Sequence, residues 1–84
     1  MRKWGRKINL KKATSQRISN LCAERNITIN HLAESSTIPP STLRDIINCN
    51  VENQSSMVIF QICKTLKIKM KDFYDSELFD EIDD

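Results

Sequence analysis

Thr28-Ile29-Asn30-His31-Leu32-Ala33, then Ser35-Ser36-Thr37-Ile38-Pro39-Pro40, then Ser41-Thr42-Leu43-Arg44-Asp45-Ile46-Ile47-Asn48: these three blocks decide the fold. Thr28 has the side chain of a helix N-cap, and Leu32 and Ala33 follow at the spacing of a short buried face. Ser35, Ser36 and Thr37 break that pattern, and Ile38 anchors the turn. Pro39 forces an extended or turn conformation on Ile38. Pro40 suits the first position of a new helix, where its missing N–H costs nothing. In that helix Leu43, Ile46 and Ile47 face inward, which leaves Ser41, Arg44, Asp45 and Asn48 outside. Two short helices joined by a tight turn describe an ordinary helical hairpin with a solvated face. They also describe a helix-turn-helix unit, whose second helix can enter the major groove, although periodicity alone favours the plain hairpin.

The same helical spacing extends in both directions. Upstream, Ile18, Leu21, Cys22 and the stem of Arg25 form one face of a first helix, with Thr14 or Ser15 as its cap and Asn26 as a left-handed stop. Downstream, the third helix ends near Asn48-Cys49-Asn50, and residues 51–56 are polar and loop-like, with Ser55 or Ser56 as the next cap. Val58, Ile59, Ile62, Cys63 and Leu66 make the apolar face of a fourth helix. Ile68, Met70, Phe73 and Tyr74 close the core through a short fifth. The expectation is an all-α bundle of five helices, with a basic arm over residues 1–12, a domain over 13–75 and an acidic tail over 76–84.

With 84 residues there is room for one small domain. A composition of 39% hydrophobic and 29% charged residues with one Gly excludes collagen-like and low-complexity chains. No apolar run approaches a membrane span, and the basic start is not followed by an apolar signal stretch, so a soluble cytoplasmic protein is expected. The net charge of +2 conceals a gradient. Residues 1–17 hold Arg2, Lys3, Arg6, Lys7, Lys11, Lys12 and Arg17 and no acid; residues 72–84 hold Asp72, Asp75, Glu77, Asp80, Glu81, Asp83 and Asp84 and no base. The arm, with Trp4 among its cations, points to a polyanion partner through phosphate pairing and stacking.

Cys22, Cys49 and Cys63 are odd in number and widely spaced, which fits free thiols in a reducing compartment and not a disulfide framework. With His31 as the single imidazole, paired zinc-ligand spacings are missing, and neither metal nor cofactor is expected. No Cys–His or Ser–His set and no glycine-rich phosphate loop support catalysis, so an enzyme is not expected.

The runs 27–33, 38–43 and 46–48, followed by Ile62-Cys63-Lys64-Thr65-Leu66-Lys67-Ile68 and Asp72-Phe73-Tyr74, resemble the Cro/lambda-repressor-like (XRE-type) helix-turn-helix family over roughly residues 15–75. The resemblance implies a five-helix bundle that binds operator DNA as a homodimer and regulates transcription. Carried over by position, base-reading sites fall on Pro40, Ser41, Thr42, Arg44 and Asp45. Phosphate-binding sites fall on Thr28, Ile29 and Asn30 and on Asn48 and Asn50, with Arg2, Lys3, Arg6, Lys7, Lys11 and Lys12 adding attraction from the arm. The family often has Gln where Ile29 stands, a Ser cap where Pro39 stands, and Gly where Thr37, Cys49 and Lys67 stand. Those three turns must therefore be made by residues that resist positive φ.

The rival expectation keeps the fold but exchanges the partner: an antitoxin-like or phage-encoded inhibitor that binds protein, with the acidic tail as its contact. A restriction-modification controller would share the DNA chemistry. Leu78, Phe79 and Ile82 fall on one side of a last amphipathic turn, suited either to a dimer contact or to folding the tail back on the arm.

Overall fold

Six helices and no strand form within residues 10–51 and 56–80, the residues described by the computed structural model. They are α1 (Leu10–Glu24), α2 (Ile29–Ser35), α3 (Pro40–Ile47), α4 (Ser56–Leu66), α5 (Met70–Phe73) and α6 (Glu77–Asp80). The all-α bundle expected from the sequence is the fold, with one further short helix beyond the expected five. α3 packs on α1 and α2, α4 on α2 and α5, and α6 on α1. Ile18, Leu32, Leu43, Ile62 and Phe73 are fully buried at the centre. Each contributes roughly 1.5–3 kcal/mol of apolar burial.

Thr28, Pro40 and Asn26 behave as their residue types predict. The Thr28 Oγ1 accepts the His31 N–H at 3.0 Å and caps α2. Pro40 opens α3 behind Pro39, which supplies no side-chain cap. Asn26 is left-handed at φ 58°.

The first helix starts earlier than expected. Leu10, Lys11, Lys12 and Ala13 are all good helix formers, so α1 is already running at Leu10, and Lys11 and Lys12 stand on a helix and not in an arm. Thr14 and Ser15 are therefore not caps but buried mid-helix residues. The Ser15 hydroxyl donates to the Ile47 carbonyl at 2.6 Å and ties α1 to the end of α3. Ser56 is the first residue of α4, and Ser55 lies outside the described residues.

Tyr74 does not close the core. It stays 41% exposed and meets Phe73 edge-on at 5.0 Å. Phe79 closes it instead, packing against the core from α6 at 6.1 Å from Phe73 and 5.0 Å from Tyr74. Phe79 is thus turned inward; Ile82 lies outside the described residues.

α1 to α4 end on the same motif. Asn26, Thr37, Cys49 and Lys67 sit at φ 55–60°. In each turn the left-handed residue's N–H bonds three residues back, and the next N–H bonds five back: Ile27 to Cys22, Ile38 to Ala33, Asn50 to Asp45 and Ile68 to Cys63, at 2.9–3.0 Å. This is the Schellman stop, and its next residue is commonly an apolar plug. Ile27, Ile38 and Ile68 are that plug.

Holding an L-residue left-handed costs about 1–2 kcal/mol, most for a β-branched side chain. Glycine removes that strain but returns part of it as freedom of the unfolded chain. Thr37→Gly should raise the domain's stability by about 0.5–1 kcal/mol, read as a Tm increase of roughly 3–8 °C. A lowered Tm would show that the turn is not under strain.

Candidate nucleic-acid interface

α3 is presented by three supports. Leu43 and Ile46 are buried under it. Ser15 holds its last carbonyl from α1. On the side of α2, buried Ser36 donates its hydroxyl to Thr65 Oγ1 of α4 at 2.7 Å, fixing the turn between the two helices. Neither serine is among the site residues expected from sequence. A signal exists for Ser15, a hydroxyl one turn before Ile18 on the apolar face, where a buried polar group requires a partner.

With its inner face fixed, α3 turns a polar strip outward. Pro40, Ser41, Arg44, Asp45 and Asn48 are exposed, while Thr42 is half-buried. The guanidinium of Arg44 does not rest on Asp45, its neighbour in sequence. Its Nη2 donates to Asn30 Oδ1 across the turn at 3.3 Å, because Asn30 stands exposed in the first turn of α2. Ile29, one residue earlier, packs against the core, so the position where the family often has Gln faces inward.

Asn50 lies where the other three Schellman stops have Ile27, Ile38 and Ile68, and its side chain is exposed. The substitution of an amide for an apolar plug leaves a hydrogen-bonding side chain beside the end of α3. Thr28 is exposed but has committed an acceptor lone pair to the His31 N–H. Lys11 is half-buried and Lys12 exposed on α1; Arg2, Lys3, Arg6 and Lys7 lie outside the described residues.

A family model described as a Cro/C1-type HTH DNA-binding domain matches residues 17–77. The chain belongs to that family. Its matched span runs from within α1 to the start of α6 and contains the whole of α2, the turn and α3 of this Cro/C1-type domain. No curated protein and no solved structure matches the chain.

Two buried free thiols lie elsewhere in this Cro/C1-type domain. Burial pushes the thiols of Cys22 and Cys63 up, with Arg25 drawing Cys22 and Arg17 drawing Cys63 partly back. Both are therefore protonated core residues at neutral pH. Among the described residues no group of three or more His, Cys, Asp or Glu side chains can hold a metal ion. No helix among them is long and apolar enough to cross a membrane.

Proposed function

We propose that the chain is a cytoplasmic transcriptional repressor that binds double-stranded DNA sequence-specifically as a homodimer, with α3 in the major groove. The outward strip of α3 carries this reading: every inward residue is apolar, every outward one is short or hydrogen-bonding, and a single arginine stands at its centre. Arg44 grips guanine O6 and N7 with two N–H donors, and Asp45 accepts from a cytosine amine. Ser41 and Thr42 reach a base edge or a thymine methyl, and Pro40 sets the helix start against the groove. Thr28, Asn30, Asn48 and Asn50 bond phosphate from the two flanks and fix the register. Arg2, Lys3, Arg6, Lys7, Lys11 and Lys12 add attraction that is blind to sequence.

One domain has a small footprint, so two copies are expected on a palindromic site. Selection of bound duplexes from random DNA tests this directly and should return a two-fold symmetric motif. If half of these six cations, four of the arm and two of α1, touch phosphate, they contribute about −3 to the salt slope of each protomer. Lys3→Ala should then weaken binding to every duplex alike and flatten that slope by about 1. A chain that retains no duplex in dilute buffer and co-purifies with a basic protein is the protein-interaction module instead.

A further inference from the structure

A cleft of about 360 Å³ opens between α2 and the ends of α1 and α4, and no residue of α3 lines it. That volume is at the small end of the ~300–1,000 Å³ usual for small-molecule pockets. Half-buried Ile27 and buried Leu66 supply its apolar wall, and His31 and Ser35, one turn apart, line it from α2. Arg25 and Lys67, the residues that follow α1 and α4, line it too, and no carboxylate among the described residues does.

Cations often follow a helix because they complement its last carbonyls. Here the carbonyls of Cys22, Ala23, Cys63 and Lys64 already accept the N–H groups of the two Schellman stops, so the backbone fills that role. The donors of the cleft make only long contacts. Arg25 donates from Nη2 to the Leu66 carbonyl at 3.5 Å and lies 3.7 Å from Glu24, against about 2.7–2.9 Å for a well-formed charge-assisted bond. The Thr65 hydroxyl donates to the Ser35 carbonyl at 3.4 Å, while its oxygen accepts the buried Ser36 hydroxyl at 2.7 Å. A guanidinium and a hydroxyl in long contacts, and an ammonium, thus share one small cleft with an apolar wall.

We infer that this cleft binds a small organic anion. Its carboxylate or phosphate head lies between Arg25 and Lys67, its apolar body rests on Ile27 and Leu66, and Thr65 turns its O–H to the head. Thr65 also carries the consequence. Its oxygen holds Ser36, and Ser36 fixes the turn between α2 and α3, so a ligand that redirects the Thr65 proton acts on that turn from outside the outward strip of α3. Binding in the cleft does not depend on what α3 contacts, so this inference stands apart from the proposed function.

The test is a titration of the full chain in dilute, phosphate-free buffer with phenyl phosphate, benzoate, benzamide or inorganic phosphate, followed by amide proton–nitrogen NMR spectra. Phenyl phosphate or benzoate should bind saturably in the millimolar range, the ordinary ligand efficiency for a probe of that size. The tighter of the two names the head group. The amides of Ile27, His31, Leu66 and Lys67 should shift, and those of Ser36 and Thr37, which do not line the cleft, should shift with them. Arg25→Gln and Lys67→Asn should each raise Kd about 3- to 10-fold, between the effect of an exposed ion pair and that of a charge-assisted hydrogen bond. Asparagine keeps the left-handed backbone that Lys67 adopts. Thr65→Ser should preserve the shifts at Ser36 and Thr37, and Thr65→Val should abolish them.

Neutral benzamide binding as tightly as benzoate would reveal an apolar crevice without anion preference. Inorganic phosphate binding as tightly as phenyl phosphate would reveal surface charge alone. Either result, or no saturable shift with any probe, overturns the inference, and unmoved Ser36 and Thr37 amides overturn the link to the turn. A duplex that loses as much affinity as the probe in Arg25→Gln and Lys67→Asn also overturns it, because the cleft is then part of the DNA interface.

Discussion

Arg17→Ala is expected to remove about 2–4 kcal/mol of folding stability, enough to lower Tm by roughly 10–25 °C. Arg17 reaches from α1 and donates from Nε to the Phe73 carbonyl at 2.7 Å and from Nη2 to the Asp72 carbonyl at 2.8 Å. Those carbonyls belong to the end of α5, a helix of four residues whose last C=O groups have no partner within it. Charge-assisted bonds of this kind are worth about 1.5–3 kcal/mol each, and the half-exposed guanidinium brings the pair to the lower part of that range. A domain of this size is stable by about 4–12 kcal/mol in total, so the loss is a large share. It also loosens Phe73, which is fully buried and carries Phe79 on its outer side. Arg17→Lys should recover less than half of the loss, because an ammonium cannot span both carbonyls in one plane. Urea and thermal unfolding followed by circular dichroism decide the matter; an alanine variant within 0.5 kcal/mol of the parent would show that α5 holds without the clamp.

Arg17 also marks where legibility in the sequence stops. There it is one more cation in a basic stretch, since nothing in the spacing of residues 17 and 73 announces a contact across the bundle. The local rules are more legible. Caps, proline positions and the three-to-four spacing of Ile, Leu and Cys locate α2, α3 and α4 nearly to the residue, because each signal acts within one turn. The same local rules make α1 too short: Thr14 and Ser15 are good caps when exposed, and only the packing of α3 against α1 shows that they are covered. The exposed Tyr74 and inward Phe79 exchange the roles expected of them, because a four-residue helix near the chain's end is set by what remains open on the core and not by its own periodicity.

The left-handed turns are legible by a different route. A chain with Gly5 as its single glycine cannot use glycine where four helices stop. The family resemblance locates three of those stops, and the asparagine preference for left-handed backbone locates the fourth. The candidate site divides in the same way. Which residues of α3 face outward follows from periodicity, whereas the partner of Arg44 does not. Asp45 is adjacent in sequence but one position round the helix, while Asn30 is distant in sequence and adjacent across the turn.

Arg44→Ala should cost about 1–3 kcal/mol of discrimination in each half-site, and the proposed homodimer would carry the change twice. On a palindromic duplex the cognate affinity therefore falls by about two orders of magnitude or more, while binding to unrelated duplexes changes only by the loss of one charge per protomer. The pattern distinguishes a base reader from an anchor: one symmetric pair of positions in the selected motif should become degenerate, with the others retained. Folding is not at issue, because Arg44 is exposed on the outer face of α3 and alanine is the best helix former available to replace it. Arg44→Lys adds a second discrimination. It keeps the charge and loses the paired donors, so it should retain binding to unrelated duplexes and still blur the same two positions. If instead Arg44→Lys preserves the motif, the contact is electrostatic and α3 lies on the backbone; if Arg44→Ala preserves it, the arginine does not reach the bases and the groove is read by Ser41, Thr42 and Asp45 alone.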